Sequence, residues 1–234
     1  GYEGKPLGSW GHAGAFSFNY YKNMTCGEGG AFVTNDQAIY DRGSVAVDCC
    51  SFYWNPNEER ENLQFAGHNF RASEVEGAIL NVQAGRIGQL LKKMRLHKSE
   101  LLQVAIDSGL KSIKNNSLEF ECGTHLGLIF RNESLARKFG ARLADSKIGN
   151  FLPMDTGRHV YTRWEPILRY QGAHHPALDP FKLTVNKEAL VDYDVEMCRD
   201  SLKILSRSVL IPMHPDNSVT RIRKIGDLIA RASN

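Results

Sequence analysis

The residues with the clearest chemical potential stand close together near the start of the chain. Lys22 lies in a polar turn with Ser17 five residues before it, Tyr20 and Tyr21 beside it, and the run TCGEGG (Thr25 to Gly30) directly after. An amine, a hydroxyl and a glycine-rich backbone thus share one compact segment, and a lysine amine in such company can act as a nucleophile and a proton shuttle. By itself Lys22 reads as a solvated surface amine; its neighbours make it a candidate. Glu28 has two readings, a carboxylate that tunes the lysine's charge or a residue that only fixes the glycine turn, and the second is simpler. His159, Tyr161 and Arg163 alternate in a strand-like stretch and so share one face, with Trp164 turned the other way into packing.

Around these residues the sequence predicts alternating elements. AGAFSF and AFVTND read as two short strands flanking the polar, glycine-rich middle. Val45 to Gly67 is aromatic and polar without a period, which suggests an irregular surface excursion. Ser73 and Glu76 form an S-x-x-E capping box. Val75, Ala78, Ile79, Val82, Ile87, Leu90, Leu91 and Met94 follow at helical spacing, with Lys92, Lys93 and Arg95 gathered at the expected helix end. A second helix is expected over Lys98 to Ala105, before the Ser108–Gly109 break. Beyond it, EFECGTHLGLIF reads as a strand and the segment after Asn132 as a helix through Leu135, Phe139 and Leu143. Asp194 is expected to cap a helix carrying Cys198, Leu202 and Leu205 inward. SVLIPM then reads as a buried strand, and Val219, Ile222, Ile225 and Ile229 mark a last amphipathic helix. A boundary is placed at 108, giving regions 1–108 and 109–234, the second a small mixed α/β unit.

Composition excludes several classes. With 234 residues, 42% hydrophobic and 24% charged, the chain is an ordinary globular one rather than disordered, collagen-like or coiled-coil. Twenty-nine basic against 26 acidic residues give a net charge of +3 without a block of like charge, too mild to argue for nucleic acid. No apolar run approaches the roughly 18 residues of a membrane span, and GYEGKPLGSW does not read as a secretory signal. No membrane partner is expected. Cys26, Cys49, Cys50, Cys122 and Cys198 form an odd set without CxxC spacing, which indicates neither a disulfide scaffold nor a zinc site and fits a cytoplasmic setting. His174 and His175 are adjacent, but neighbouring side chains rarely converge on one metal ion without further ligands. No metal is expected.

FSFNYYKNMTCGEGGAFVTND resembles the lysine segment of the DegT/DnrJ/EryC1/StrS family of sugar aminotransferases, whose pattern runs FSF-x3-K-x2-T-x-GEGG-x3-T-[ND]; every fixed element is present. GHNFRASEVEGAILNVQ is similar to that family's G-x-N-x-R-x-[ST]-[DE]-x3-A motif, and RHVYTRWEPIL with VLIPMHP to its C-terminal substrate-side segments. The resemblance implies an α/β fold, the C-terminal part of a fold-type I transferase dependent on pyridoxal 5'-phosphate: a partial large domain with the long helix, then the small C-terminal domain. It implies that Lys22 binds the cofactor covalently and afterwards moves protons, and that Ser17 donates to the cofactor phosphate. It also implies that Asn69 reaches the phosphate in the neighbouring subunit's site, so that the active site belongs to a homodimer. Arg71 would pair with an acidic group across that contact or form a structural salt bridge. His159, Tyr161 and Arg163 become candidates for sugar or carboxylate contact.

The implied reaction moves an amino group from an amino acid, with glutamate the expected donor, to a keto-sugar for cell-surface polysaccharide such as lipopolysaccharide. The substrate that the resemblance implies is a keto-octulosonate aminated at carbon 8 or a nucleotide-linked keto-hexose. Sugar 3-dehydratases of the same fold carry histidine at the lysine position, and Lys22 argues against them. The family places half of the cofactor cradle before the lysine: phosphate-binding amides, a ring-stacking aromatic and an Asp at the pyridine nitrogen. The 21 residues before Lys22 do not supply these, so the expectation is the C-terminal portion of a longer aminotransferase, with a non-catalytic portion as the alternative. Faces that further strands would cover should then be exposed and apolar.

Overall fold

The computed structural model describes residues 1–49, 65–117, 119–157 and 159–233. Most of the excursion expected within Val45 to Gly67 falls on residues 50–64, outside the described residues, as does Cys50. The chain divides into two compact units, Gly1–Lys93 with Asn115–Cys122, and Met94–Lys114 with Gly123–Asn234.

In the first unit, β1 (Ala13–Ser17) and β2 (Gly30–Thr34) pair antiparallel, Ala13 opposite Thr34 and Ser17 opposite Gly30. The polar segment between them is therefore a loop returned onto itself. Asp36 caps α1 (Gln37–Val47), its carboxylate accepting from the amides of Ala38 and Ile39 at 2.9 and 3.2 Å. The segment at 68–70 then docks on the end of α1: the His68 amide donates to the Ala46 carbonyl at 2.7 Å and the Phe70 amide to Val47 at 2.9 Å. Gly67 makes this approach feasible, because a Cβ there would meet the Val45 carbonyl at 2.6 Å.

α2 (Glu74–Asp107) starts where the capping box predicts: the Ser73 amide donates to Glu76 Oε2 at 2.6 Å and the Glu76 amide to Ser73 Oγ at 3.2 Å. It does not end near Met94. Lys92 to His97 are tolerable helix residues, and the buried stripe Met94, His97, Leu101, Ala105 carries the periodicity through, so the two helices expected from sequence are one. Lys92, Lys93 and Arg95 accordingly lie mid-helix, away from the C-terminal dipole. Termination waits for Gly109 (φ 76°), with the Leu110 amide donating to the Ala105 carbonyl at 2.9 Å.

The second unit is built on an antiparallel sheet ordered β3 (Lys111–Ser112), β4 (His125–Ile129), β5 (Ser208–Pro212). β4 is shorter than the segment expected from residue 119, because the Ser117 amide bonds Asn115 Oδ1 and the Phe120 amide bonds Ser117 Oγ in a turn ahead of it. Leu126 and Leu128 stand opposite Ile211 and Val209, and all four are at most 1% exposed. Asn132 caps α3 (Glu133–Asp145), which buries Phe139 and Leu143 but leaves Leu135 exposed. After Phe151, bridged to Leu210, come short turns and α4 (Glu165–Leu168), α5 (Arg199–Ser206) and α6 (Val219–Ser233). α6 buries Ile222, Ile225 and Ile229 while Val219 stays exposed. The Arg142 guanidinium donates to the Ala232 carbonyl at 2.8 Å and His97 Nδ1 lies 3.2 Å from the His214 carbonyl, tying α3 and α2 to the chain around α6.

Asp194 does not cap α5. Its carboxylate accepts from the Glu196 amide in a local turn, the helix starts at Arg199, and Cys198 at the cap position is exposed. Competition from this Asx turn is the physical reason.

Burial divides sharply between the units. Among the described residues Val45 is the one apolar side chain under 9% exposed in the first unit; the other buried apolar residues all belong to the second. Phe16, Phe32, Val33, Tyr40 and Phe70 of the first unit are exposed, as are Val75, Ile79 and Val82, the start of the apolar stripe on α2.

Candidate functional site

The loop between β1 and β2 carries Lys22. The Phe18 amide donates to the Gly29 carbonyl at 2.8 Å and the Cys26 amide to the Phe18 carbonyl at 3.0 Å, which closes the neck of the loop. Inside it the Lys22 amide donates to Asn19 at 3.0 Å, and the Gly27 amide to Thr25 Oγ1 at 3.0 Å. The Lys22 side chain is exposed, flanked by Tyr21 at 85% exposure and Tyr20 at 73%, their rings edge to face at 5.3 Å. Cys26 Sγ lies 3.0 Å from the Glu28 carbonyl; thus Glu28 enters the turn through its backbone.

Ser17 ends β1 beside this neck. Its Oγ accepts from the Asn19 amide at 3.3 Å, which leaves the hydroxyl proton for an acceptor outside the strand. Asn69 stands across an antiparallel bridge from Asp48, and its Oδ1 accepts from Arg71 Nε at 3.2 Å. With the oxygen so engaged, both Nδ2 protons remain to donate. Arg71 Nε also lies 3.3 Å from Asp48 Oδ1, so its acidic partner is in its own chain; with the Arg71 side chain 47% exposed, that pair is worth at most about 1 kcal/mol.

An open cavity of about 640 Å³ lies beside these residues, lined by Gly29 to Phe32, Val47 and Phe70 to Ala72. Arg71 is its cation, and Phe32 and Phe70 are its aromatic walls. Lys22 is not part of that lining. Phe70 is the residue that sequence reasoning passed over; its place between Asn69 and Arg71 in GHNFR was the available signal.

His159, Tyr161 and Arg163 belong to the second unit. They do not form a strand. Tyr161–Arg163 is a 3-10 turn, the Trp164 amide donating to the Tyr161 carbonyl at 2.9 Å, and α4 follows at once with Pro166 in its first turn. Alternation is lost. The Tyr161 hydroxyl donates to the Val195 carbonyl at 2.7 Å and accepts from the Cys198 amide at 3.1 Å, so it is occupied in holding residues 195–198. His159 and Arg163 are exposed, and so is Trp164 at 48%, against the expectation of packing.

Buried Asp179 organises the neighbouring loop. Desolvation would raise its pKa, but amides of Phe181 and Gly172 at 3.1 and 3.3 Å and the Lys182 ammonium at 3.2 Å outweigh that and hold the carboxyl below its ordinary range. His175 Nδ1 accepts from the Ala177 amide at 3.2 Å, a local cap. Among the described residues no three His, Cys, Asp or Glu side chains gather as a metal site, and no helix is long and apolar enough to cross a membrane.

Comparison with known proteins shows what the chain is similar to. The family model for DegT/DnrJ/EryC1/StrS aminotransferases matches residues 1–130. A Streptomyces kanamyceticus protein named for L-glutamine:3-amino-2,3-dideoxy-scyllo-inosose aminotransferase activity is 33% identical over 113 residues, 48% of this chain and 25% of its own length. GDP-perosamine synthase of Escherichia coli O157:H7 is 26% identical over 168 residues, 66% of this chain and 42% of its own. Among solved structures, the E. coli GDP-4-keto-6-deoxy-D-mannose-3-dehydratase with bound hydrated PLP superimposes with a TM-score of 0.65 at 19% identity, covering 98% of this chain and 57% of that one. The chain therefore spans well under two thirds of the length of these relatives, and its mixed α/β architecture is part of the fold they share.

Proposed function

This chain belongs to the DegT/DnrJ/EryC1/StrS aminotransferase family, and from that premise we propose that it serves the pyridoxal-phosphate-dependent transfer of an amino group from an amino acid to a keto-sugar, with Lys22 as the catalytic residue. The observation that carries this reading is the donor set of the first unit. One exposed amine stands in a loop closed at its neck, a serine hydroxyl at the end of β1 retains its proton, and an asparagine amide has its oxygen engaged and its NH2 free. An amine for an aldehyde and neutral N–H and O–H donors for a phosphate monoester fit pyridoxal phosphate.

When bound, the cofactor supplies an electron sink for charge that develops at the carbon bearing the amino group. The chain's own residues do the rest. Lys22 Nζ would be the nucleophile that holds the cofactor's aldehyde and then the base and acid that takes up and returns a proton during the transfer. Ser17 Oγ and Asn69 Nδ2 would hold the cofactor phosphate by donating to it, and so orient the reacting atoms relative to Nζ. Asn69 does so in the partner's site of a homodimer, and the exposed Phe16, Phe32 and Phe70 around the loop support a working state in which this unit is covered by more protein. His159 and Arg163 are exposed and free to meet sugar or carboxylate oxygens, whereas Tyr161 orders residues 195–198. Lys22 disfavours the dehydratase reading that the E. coli neighbour raises.

Mixing separately inactivated Lys22→Ala and Asn69→Ala subunits of the protein from its natural reading frame tests the shared site. One heterodimer site then carries both defects and the other neither. Recovery of glutamate-dependent amination, assayed on a nucleotide-linked keto-hexose and on a keto-octulosonate, supports the proposal. No recovery after demonstrated subunit exchange overturns it.

A further inference from the structure

We propose that the second unit holds a binding site for a diphosphate group where Lys111, Arg131 and Arg207 meet at one end of its sheet. The topology assembles them. Lys111 opens β3 opposite Ile129, the last residue of β4, and Ile129 in turn stands opposite Ser208, the first of β5. Residues that begin β3, follow β4 and precede β5 therefore reach the same sheet end from distant points of the sequence. All three line one cavity of about 580 Å³, with Phe130 and Leu135 as an apolar wall.

Among the described residues no carboxylate pairs with this cluster. Arg207 Nε is shielded from solvent and has no hydrogen-bond partner, and Nη1 reaches only the Phe130 carbonyl, at 3.5 Å. A shielded guanidinium N–H without an acceptor is costly, and an anion in the cavity would supply one. No carboxylate lines the cavity, and Glu133, two residues from Arg131 in sequence, accepts instead from Arg137 Nε at 2.7 Å. Among the described residues Lys111 and Arg131 take part in no ion pair. Three cations around one cavity call for an anion of two to three charges. A carboxylate would leave the site strongly positive, whereas the planar forks of two arginines suit the oxygens of a diphosphate. The wall of Phe130 and Leu135 leaves room for an uncharged group attached to it. The site shares no residue with the Lys22 loop, so it stands or falls apart from the proposed transamination.

Isothermal titration of the 234-residue chain with inorganic pyrophosphate and with uridine diphosphate tests the assignment, with sulfate as the singly phosphate-sized control. The expected result is saturable binding of a diphosphate, weakened by salt and tighter than sulfate. Arg207→Gln, and separately the double variant Lys111→Gln with Arg131→Gln, should each weaken it by about tenfold or more. Lys224→Gln on exposed α6 surface should not. Lys111 and Arg131 are exposed, so the double variant tests the site even where Arg207→Gln disturbs folding. Uridine diphosphate binding more tightly than pyrophosphate identifies a diphosphate carried on an organic group; equal affinity identifies the free anion. No saturable binding at millimolar ligand, or binding indifferent to both the single and the double variant, overturns the proposal.

Discussion

Replacing Leu128 by alanine is the sharpest test of how stability is distributed. Leu128 is 0% exposed at the middle of the sheet, opposite Val209, also at 0%, and two residues from Leu126, again at 0%. Four branched side chains on one sheet face cannot collapse onto a lost isobutyl group without moving the strands that carry them. The expected cost is therefore about 3 kcal/mol, transfer and cavity together. A unit of this size loses about 4 °C per kcal/mol, so its transition should fall by roughly 12 °C. Phe16→Ala removes a larger side chain, but one that is 43% exposed in a unit where, among the described residues, Val45 is the one buried apolar side chain. Less apolar area leaves contact with protein, and the expected cost is under about 1 kcal/mol. Scanning calorimetry of the two variants separates the cases, with amide hydrogen exchange locating the loss in β4 and β5. A Phe16→Ala penalty equal to that of Leu128→Ala would refute the reasoning, since the first unit would then own a core that burial does not reveal.

Ser73→Ala should remove half of the capping box and cost about 1 kcal/mol locally, read as roughly fivefold faster exchange of amides in the first turn of α2. Tyr161→Phe should leave the Val195 carbonyl and Cys198 amide without their partner, lowering stability by about 1 to 2 kcal/mol and loosening residues 195–198 before α5. Acid should weaken the second unit in two steps. Burial, then the charge of Lys98, lowers the His125 pKa, so the folded state resists protonation and stability falls as pH drops below the ordinary histidine value of about 6.5. Asp179, held below its ordinary range, gives stability that is complete above about pH 4 and lost as pH falls through its folded value. His125→Gln should flatten the first step and Asp179→Asn the second, in denaturant midpoints measured against pH.

Much of this architecture was legible because it rests on local chemistry. The S-x-x-E box at Ser73, the Asn132 cap and the alternation of SVLIP each specify an element through neighbours in sequence. The continuous α2 was missed because nothing local distinguishes a helix that pauses near Lys93 from one whose buried stripe resumes at Met94 and His97; packing in the second unit decides it. Tyr161–Arg163 is a turn where alternation predicts a strand, for a similar reason. Its conformation depends on a hydroxyl bonded to Val195 and Cys198, more than thirty residues away. At the candidate site Lys22, Ser17 and the glycine run lie within one hairpin and could be read directly. The orientation of Asn69 by Arg71, and of Arg71 by Asp48, needed the bridge that brings the end of α1 to residue 69. The trio Lys111, Arg131 and Arg207 needed the register of all three strands.

The central claim is that Lys22 is the amine that meets pyridoxal phosphate. The protein from its natural reading frame, incubated with limiting pyridoxal phosphate, reduced with borohydride and digested, should carry one pyridoxyl group per chain on the peptide containing Lys22, and Lys22→Ala should lose that label. Stoichiometric labelling of another lysine, Lys92 for example, or label spread evenly over the exposed lysines, would contradict it.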